Sequence, residues 1–404
     1  MDGKPRMDSP PEAAGMTGTG SPAPVRQAVS TAVDPMVAAH ELHRQLVQDE
    51  LALVLVFCAP EYASPGFART LRGLFGPDVT IVGCTTAGEI TPQGYLDNSV
   101  TGISFGAPEF AAAAVRLGSL REFELAATSK LAEGLRAELI GRISGGPPRN
   151  EFAMVLIDGL TRREEMVMSC LGGALGDMPV FGASAGDGLA FEHTTVLVDD
   201  DFHSDSAVLL IVSTTLPVRP FRNQHFVSSQ TKMVVTGAEP ARRVVTELNA
   251  EPAVAEYARV IGYDVAALTP MVFATYPLVV RLGGAEYVRS IQKANPDGSL
   301  TFYCAIDEGL VLTLAEGRDL YSRLDDLFAE IRAEIGPPAV VIGFDCVLRK
   351  LECERNQTKQ RVAALLQANA VVGFSTFGEQ FYSMHVNQTF TGVAIGGMSD
   401  GRAA

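Results

Sequence analysis

The chain has 404 residues, of which 47% are apolar and 20% charged, more than a single ordinary domain of roughly 100–200 residues holds. Lysine plus arginine number 32 against 47 aspartate plus glutamate, and the resulting net charge of −15 repels phosphate backbones and anionic lipid, which argues against nucleic acid as a partner. No apolar run reaches the roughly 18–20 residues of a membrane helix, and the six cysteines, without CxxC pairs, read as reduced thiols.

Residues 1–33 are rich in Pro, Gly, Ser, Thr and Ala without hydrophobic period and read as a disordered tail. The opening Met1-Asp2-Gly3-Lys4-Pro5-Arg6 is not followed by an apolar h-region, so a cytoplasmic location is expected. Asp34-Pro35 starts a helix carrying Leu42 and Leu46, and the apolar run 51–57 follows as a buried strand. The alternation continues with a helix at 67–75, strands at 79–84, 100–105 and 110–117, and a long helix at 122–143. A strand at 152–157, a helix at 164–175 and a strand at 180–183 extend the same α/β pattern. After His193 the period becomes two, predicting a hairpin of strands 194–198 and 207–213 across Asp199, Asp200 and Asp201.

A composition change over 236–268, with helical segments at 241–248 and 253–261, marks a junction. Strands at 278–282, 287–293 and 300–306 follow, the last two joined by Asn295-Pro296-Asp297-Gly298. Leu320, Leu324, Leu327, Phe328 and Ile331 form a helical stripe closed by Gly336-Pro337. A strand at 340–344, a helix at 359–368 and a β-rich stretch at 371–395 complete the pattern. The expected fold is mixed α/β, with sheets flanked by helices in two related domains, 34–240 and 241–397, and a short tail at 398–404.

The relation between domains rests on an internal echo. Gly83, Thr86, Gly88, Glu89, Thr101, Gly102 and Gly106 recur without a gap as Gly373, Thr376, Gly378, Glu379, Thr391, Gly392 and Gly396. Gly182-Ala183-Ser184-Ala185-Gly186-Asp187 is a looser third copy. Each copy is either a tight turn whose carboxylate binds backbone N–H groups or a ligand-lining loop, and the two are compatible.

Gly182-x-Ser184-x-Gly186 matches the nucleophile-elbow pattern, but the next segment is a β-hairpin and not the amphipathic helix that a hydrolase requires. Zinc spacing, an EF-hand loop, G-x-G-x-x-G and the Walker lysine are all missing, so no enzyme is expected. Among six histidines, His385 shares a strand face with Ser383, Asn387 and Thr389, and Tyr95 takes its place in the echo; both side chains can ligate iron or donate a hydrogen bond. His225 and His203 each stand beside a phenylalanine near a strand end. Without Cys-x-x-Cys-His any haem is non-covalent, with Arg281 or Arg289 available for its propionates.

The blocks at 81–90, 181–187 and 373–380 resemble the FIST family, named for F-box and intracellular signal transduction proteins, over about 34–397. The blocks at 287–292, 302–305 and 384–392 are similar to its bacterial nitric-oxide-sensing haemoprotein branch, often called NosP. The resemblance implies N-terminal and C-terminal FIST domains and a haem b held through histidine. His385, then His225 and His203, are the candidate iron ligands. It further implies a signal passed on nitric oxide binding to a partner histidine kinase or cyclic-di-GMP enzyme. The alternative is a FIST-type sensory domain that binds a small metabolite such as an amino acid, which the polar face of His385 suits.

Overall fold

The computed structural model describes residues 23–143, 147 and 149–398. The tail expected at 1–33 is corrected at its end, where Val25–Ser30 is a strand paired antiparallel with Val100–Gly106, register Val25↔Phe105 to Ser30↔Val100. Six residues with weak alternation give little local signal, and a partner about 75 residues away in sequence supplies the hydrogen bonds. Residues 1–22 and 399–404 lie outside the described residues.

The fold is mixed α/β and repeats one plan three times. In the first unit, strand Val25–Ser30, helix Pro35–Leu46, strand Leu51–Cys58, helix Pro65–Phe75 and strand Thr80–Thr85 lead to a hairpin, Glu89–Thr91 with Gly94–Leu96, and a return strand Val100–Gly106. The second runs Phe110–Gly118, helix Leu125–Arg142, Asn150–Ile157, helix Glu164–Leu175, Val180–Ser184, hairpin Val196–Val198 with Asp201–His203, and Ser206–Thr214. The third runs Val218–Asn223, helix Leu320–Ile335, Pro338–Cys346, helices Val347–Arg355 and Lys359–Ala368, Val371–Thr376, hairpin Glu379–Phe381 with Met384–Val386, and Phe390–Gly396. In every unit the two central strands pair in parallel and the return strand pairs antiparallel with the first of them.

No unit keeps its own hairpin. That of the first pairs with Val371–Thr376 of the third, that of the third with Val180–Ser184 of the second, and that of the second with Thr80–Thr85 of the first. The three sheets turn their inner faces to one apolar core, where Phe57 lies 4.9 Å from Phe374 and 6.1 Å from Phe344, and Phe181 lies 6.4 Å from Phe344. Helices cover each outer face through a separate cluster.

The third unit is interrupted between Asn223 and Leu320 by an inserted sheet. The long strand Phe226–Glu239 runs through it, and helices Ala253–Ile261 and Pro270–Thr275 pack on its apolar residues. The junction expected at 240/241 therefore falls inside an insertion. Three local expectations are also corrected. The segment expected to be helical at 241–248 is a 3-10 turn followed by strand Val244–Leu248, because β-branched Val244, Val245 and Thr246 suit the ladder formed with Phe226–Glu239. Val196–Val198 pairs with Asp201–His203, while Ser206–Thr214 joins another sheet. The alternation read through 381–390 is broken by left-handed residues Tyr382 and Gln388, φ 52° and 50°, so His385 sits on a short hairpin strand.

Gly83, Gly182 and Gly373 fall at one position of the repeat, where a Cβ would overlap a carbonyl oxygen of the adjacent central strand, that of Val56, Val155 or Gly343. Gly373→Ala is expected to cost at least about 2–3 kcal/mol in urea denaturation. Gly173→Ala, in the last turn of helix Glu164–Leu175 with nothing within 4 Å of the new methyl, should be neutral or stabilising by up to ~1 kcal/mol.

Candidate functional site

Three equivalent turns link the central strands to the exported hairpins and interlock. Ala87 N donates to Ser375 O at 2.8 Å, Ser375 N to Gly88 O at 2.7 Å, Ser184 N to Gly378 O at 2.8 Å and Gly186 N to Thr85 O at 3.0 Å. Their acids bind backbone. Glu89 accepts from Ser99 N and Oγ at 3.1 and 2.6 Å, Glu379 from Thr389 N and Oγ1 at 3.1 and 2.7 Å, and Asp187 from the amides of Phe191, Glu192 and His193. Burial pushes the Glu89 carboxyl up to about 7 against the lowering effect of these bonds, and raises Glu379 further.

The exported hairpins place three different side chains at one position, the residue paired with the partner of the repeated glycine Gly83, Gly182 or Gly373. Phe202 packs on Phe67 of the first unit, ring centroids 6.5 Å apart. Tyr95 donates to Asp345 Oδ2 at 2.7 Å, and burial, then Asp345, raises its phenol. His385 lies in the third junction, against helix Glu164–Leu175 of the second unit, and is fully buried there.

The junctions differ in how their polar groups are met. Beside Tyr95, Lys350 Nζ donates to Asp97 and, at 3.1 Å, to the Ala87 carbonyl. Asn387 stands where Asp97 does in the repeat, and a Cβ on Gly378 would overlap the His385 ring just as one on Gly88 would meet Lys350 Nζ. A neutral imidazole and amide thus replace an ammonium and carboxylate. His385 Nδ1 contacts Gln380 Nε2 at 3.2 Å, while His385 Nε2, both amide atoms of Asn387 and Gln380 Oε1 have no partner among the described residues. Burial lowers the His385 pKa, opposed by the nearby Glu164 and Glu165, so the ring is held neutral.

Charged groups wall this cluster. Glu164, at the start of its helix, meets Ser184 Oγ at 3.4 Å and Arg243 Nη2 at 2.6 Å; Arg243, a residue of the insertion at φ 56°, also meets Glu165 at 2.5 Å and the Tyr303 carbonyl. Arg289, on insertion strand Ala285–Arg289, is within electrostatic reach of His385, and its Nε has no partner. The structure therefore brings His385 and Arg289 together and leaves the other candidates elsewhere. His225 accepts from Arg349 at Nδ1, 2.9 Å, and turns Nε2 to Glu352 at 2.9 Å, so neither nitrogen has a lone pair to offer. His203 is half-buried at the edge of the first sheet. Ser184 accepts from Gln380 at 3.1 Å and contacts no histidine, which leaves it without the base of a hydrolase.

Gln380 and Gly378 were within reach of sequence reasoning through the echo. Glu164 and Arg243 carry no local signal, since their pairing spans 79 residues.

The cluster does not fit a porphyrin. His385 is packed against Gly378, and its surroundings are amides and ion-paired carboxylates where a haem requires an apolar slot. The apolar groove of about 570 Å³ between helix Leu125–Arg142 and strand Phe110–Gly118 is lined by Ala114, Val115, Leu131 and Leu135 with no histidine. Among the described residues no group of three or more His, Cys, Asp or Glu is arranged to hold a metal ion, and no helix is long and apolar enough to cross a membrane.

The family model of the FIST N domain matches residues 52–251 and that of the FIST C domain residues 253–382. A search of curated proteins gave no match.

Glu89 ties the axial turns to pH. A carboxyl raised from 4.5 to about 7 binds its proton more tightly in the fold, so its contribution is full below 4.5 and lost as pH rises through 7, on the order of 3 kcal/mol. Glu89→Gln should flatten the fall in urea-unfolding stability between pH 5 and 7.5, and an unchanged slope would refute this assignment.

Proposed function

The chain belongs to the FIST-domain family, a family of sensory signal-transduction domains, and we propose that it senses a small polar metabolite at the His385 cluster. The observation that carries this reading is the concentration of polar atoms without partners on His385, Asn387, Gln380 and Arg289 in the interior. Each such atom costs about 1–3 kcal/mol when left unpaired, and a solute carrying complementary donors and acceptors recovers that cost on binding. An amino acid or a similar small molecule has the required density of polar groups.

The cluster is also placed to transmit an event. His385, Gln380 and Asn387 come from the third unit, Ser184 and Glu164 from the second, and Arg243 and Arg289 from the insertion. A ligand touching all three biases their relative arrangement by its differential affinity for the two states. The output would be read by a histidine kinase or cyclic-di-GMP enzyme in the cytoplasm, and no catalytic turnover is involved.

Haem b with nitric oxide as its signal is the second reading, favoured by one observation, the unpartnered Nε2 of His385. The two separate experimentally. Purified protein screened by thermal shift against small metabolites should show a raised melting temperature, and His385→Ala should weaken the hit about tenfold. A stoichiometric Soret-absorbing complex lost in His385→Ala would instead establish haem and overturn the metabolite reading.

A further inference from the structure

Three arginines are buried deeply, and two have acids of their own: Arg243 meets Glu164 and Glu165, and Arg349 meets Asp345 at 2.6 Å. Arg289 is 8% exposed and reaches only the adjacent Val288 carbonyl, at 3.4 Å, with Nε unpaired. Among the described residues no carboxylate forms an ion pair with it. A guanidinium taken out of water without a contacting counter-charge is destabilising, and the nearest carboxylates, Glu164 and Glu165, are both engaged by Arg243. Asn387, Gln380 and His385 are neutral, and burial keeps the Cys304 thiol protonated.

We infer that the ligand of this site is a carboxylic acid whose carboxylate forms the missing ion pair with Arg289, its remaining polar groups facing His385, Asn387 and Gln380. This rests on the reading of the His385 cluster as the binding site. A planar two-oxygen anion matches the fork of a guanidinium. A single negative charge pairs with one guanidinium, whereas a phosphate dianion would add a second negative charge beside Glu164 and Glu165. Arg289 is also held in place for this. Ser290 Oγ donates to Gln388 Oε1 at 3.1 Å and Gln388 Nε2 to the Ala274 carbonyl at 2.8 Å, so the insertion is pinned beside Asn387. The carboxylate is assigned to a free small acid, because the cluster does not fit a porphyrin, and protohaem serves as the control.

The full chain and its Arg289→Gln and Arg289→Lys variants are titrated with the common L-α-amino acids and short 2-oxo acids, each beside its primary amide, and with protohaem beside its dimethyl ester. Binding of an acid at least tenfold tighter than its amide, lost in Arg289→Gln and partly kept in Arg289→Lys, is the expected result. The same pattern for protohaem over its diester would support the ion pair while overturning the metabolite reading. Equal binding of blocked and free forms, or binding unaffected in folded Arg289→Gln, overturns the inference and leaves the site standing. If no probe binds the unmodified chain, both fall. Should Arg289→Gln fail to fold, Arg289→Lys with the amide and ester comparison decides.

Discussion

Exchange of hairpins governs this molecule. Each unit ends its second central strand in a turn that sends the following hairpin onto the sheet of a neighbour, so no unit can complete its sheet without another. The close approach at Gly83, Gly182 and Gly373 sets the spacing of the central strands, and the interlocked turns around Ala87, Gly186 and Gly378 set the order of exchange. The three inner faces then bury a single core of phenylalanine and aliphatic residues, which stabilises the assembly as a whole.

The same exchange creates three equivalent junctions, each free to evolve its own chemistry. Phe202 fills one with apolar contact, and Tyr95 with Asp345, backed by Lys350 and Asp97, fills another with hydrogen-bonded charge. His385 and Asn387 make the third. Its polar atoms on His385, Asn387 and Gln380 lie in the interior without a partner among the described residues, where in the second junction Tyr95 meets Asp345 and Lys350 meets Asp97. Internal repetition thus serves as a control: position in the fold is constant, and only the side chains differ.

Where the insertion meets this junction, two arginines arrive with different duties. Arg243 bridges the two glutamates at the start of helix Glu164–Leu175 and fastens the inserted sheet to the second unit. Arg289 reaches the same region without an acid. Breaking a buried ion pair of the first kind costs about 3–5 kcal/mol, so the clamp is structural, while the second arginine forms no ion pair among the described residues.

Much of this was legible in the sequence. The helices at 35–46, 320–335 and 359–368, the buried strands and the mixed α/β class follow from apolar period, Asp34-Pro35 and Gly336-Pro337, because those signals act within a few residues. The echo of Gly83 to Gly106 in Gly373 to Gly396 disclosed repetition, and the reading of its acids as backbone-binding groups matches Glu89, Asp187 and Glu379. His385 and Arg289 were both marked as candidates. What tertiary structure alone decided was which sheet each hairpin joins, that a third full unit exists, and that His225 is spent on Arg349 and Glu352 while His385 is not. Pairing across about 200 residues, as between Val180–Ser184 and Glu379–Phe381, leaves no periodic trace, since hydrogen bonds between strands depend on backbone position and hardly on side-chain identity.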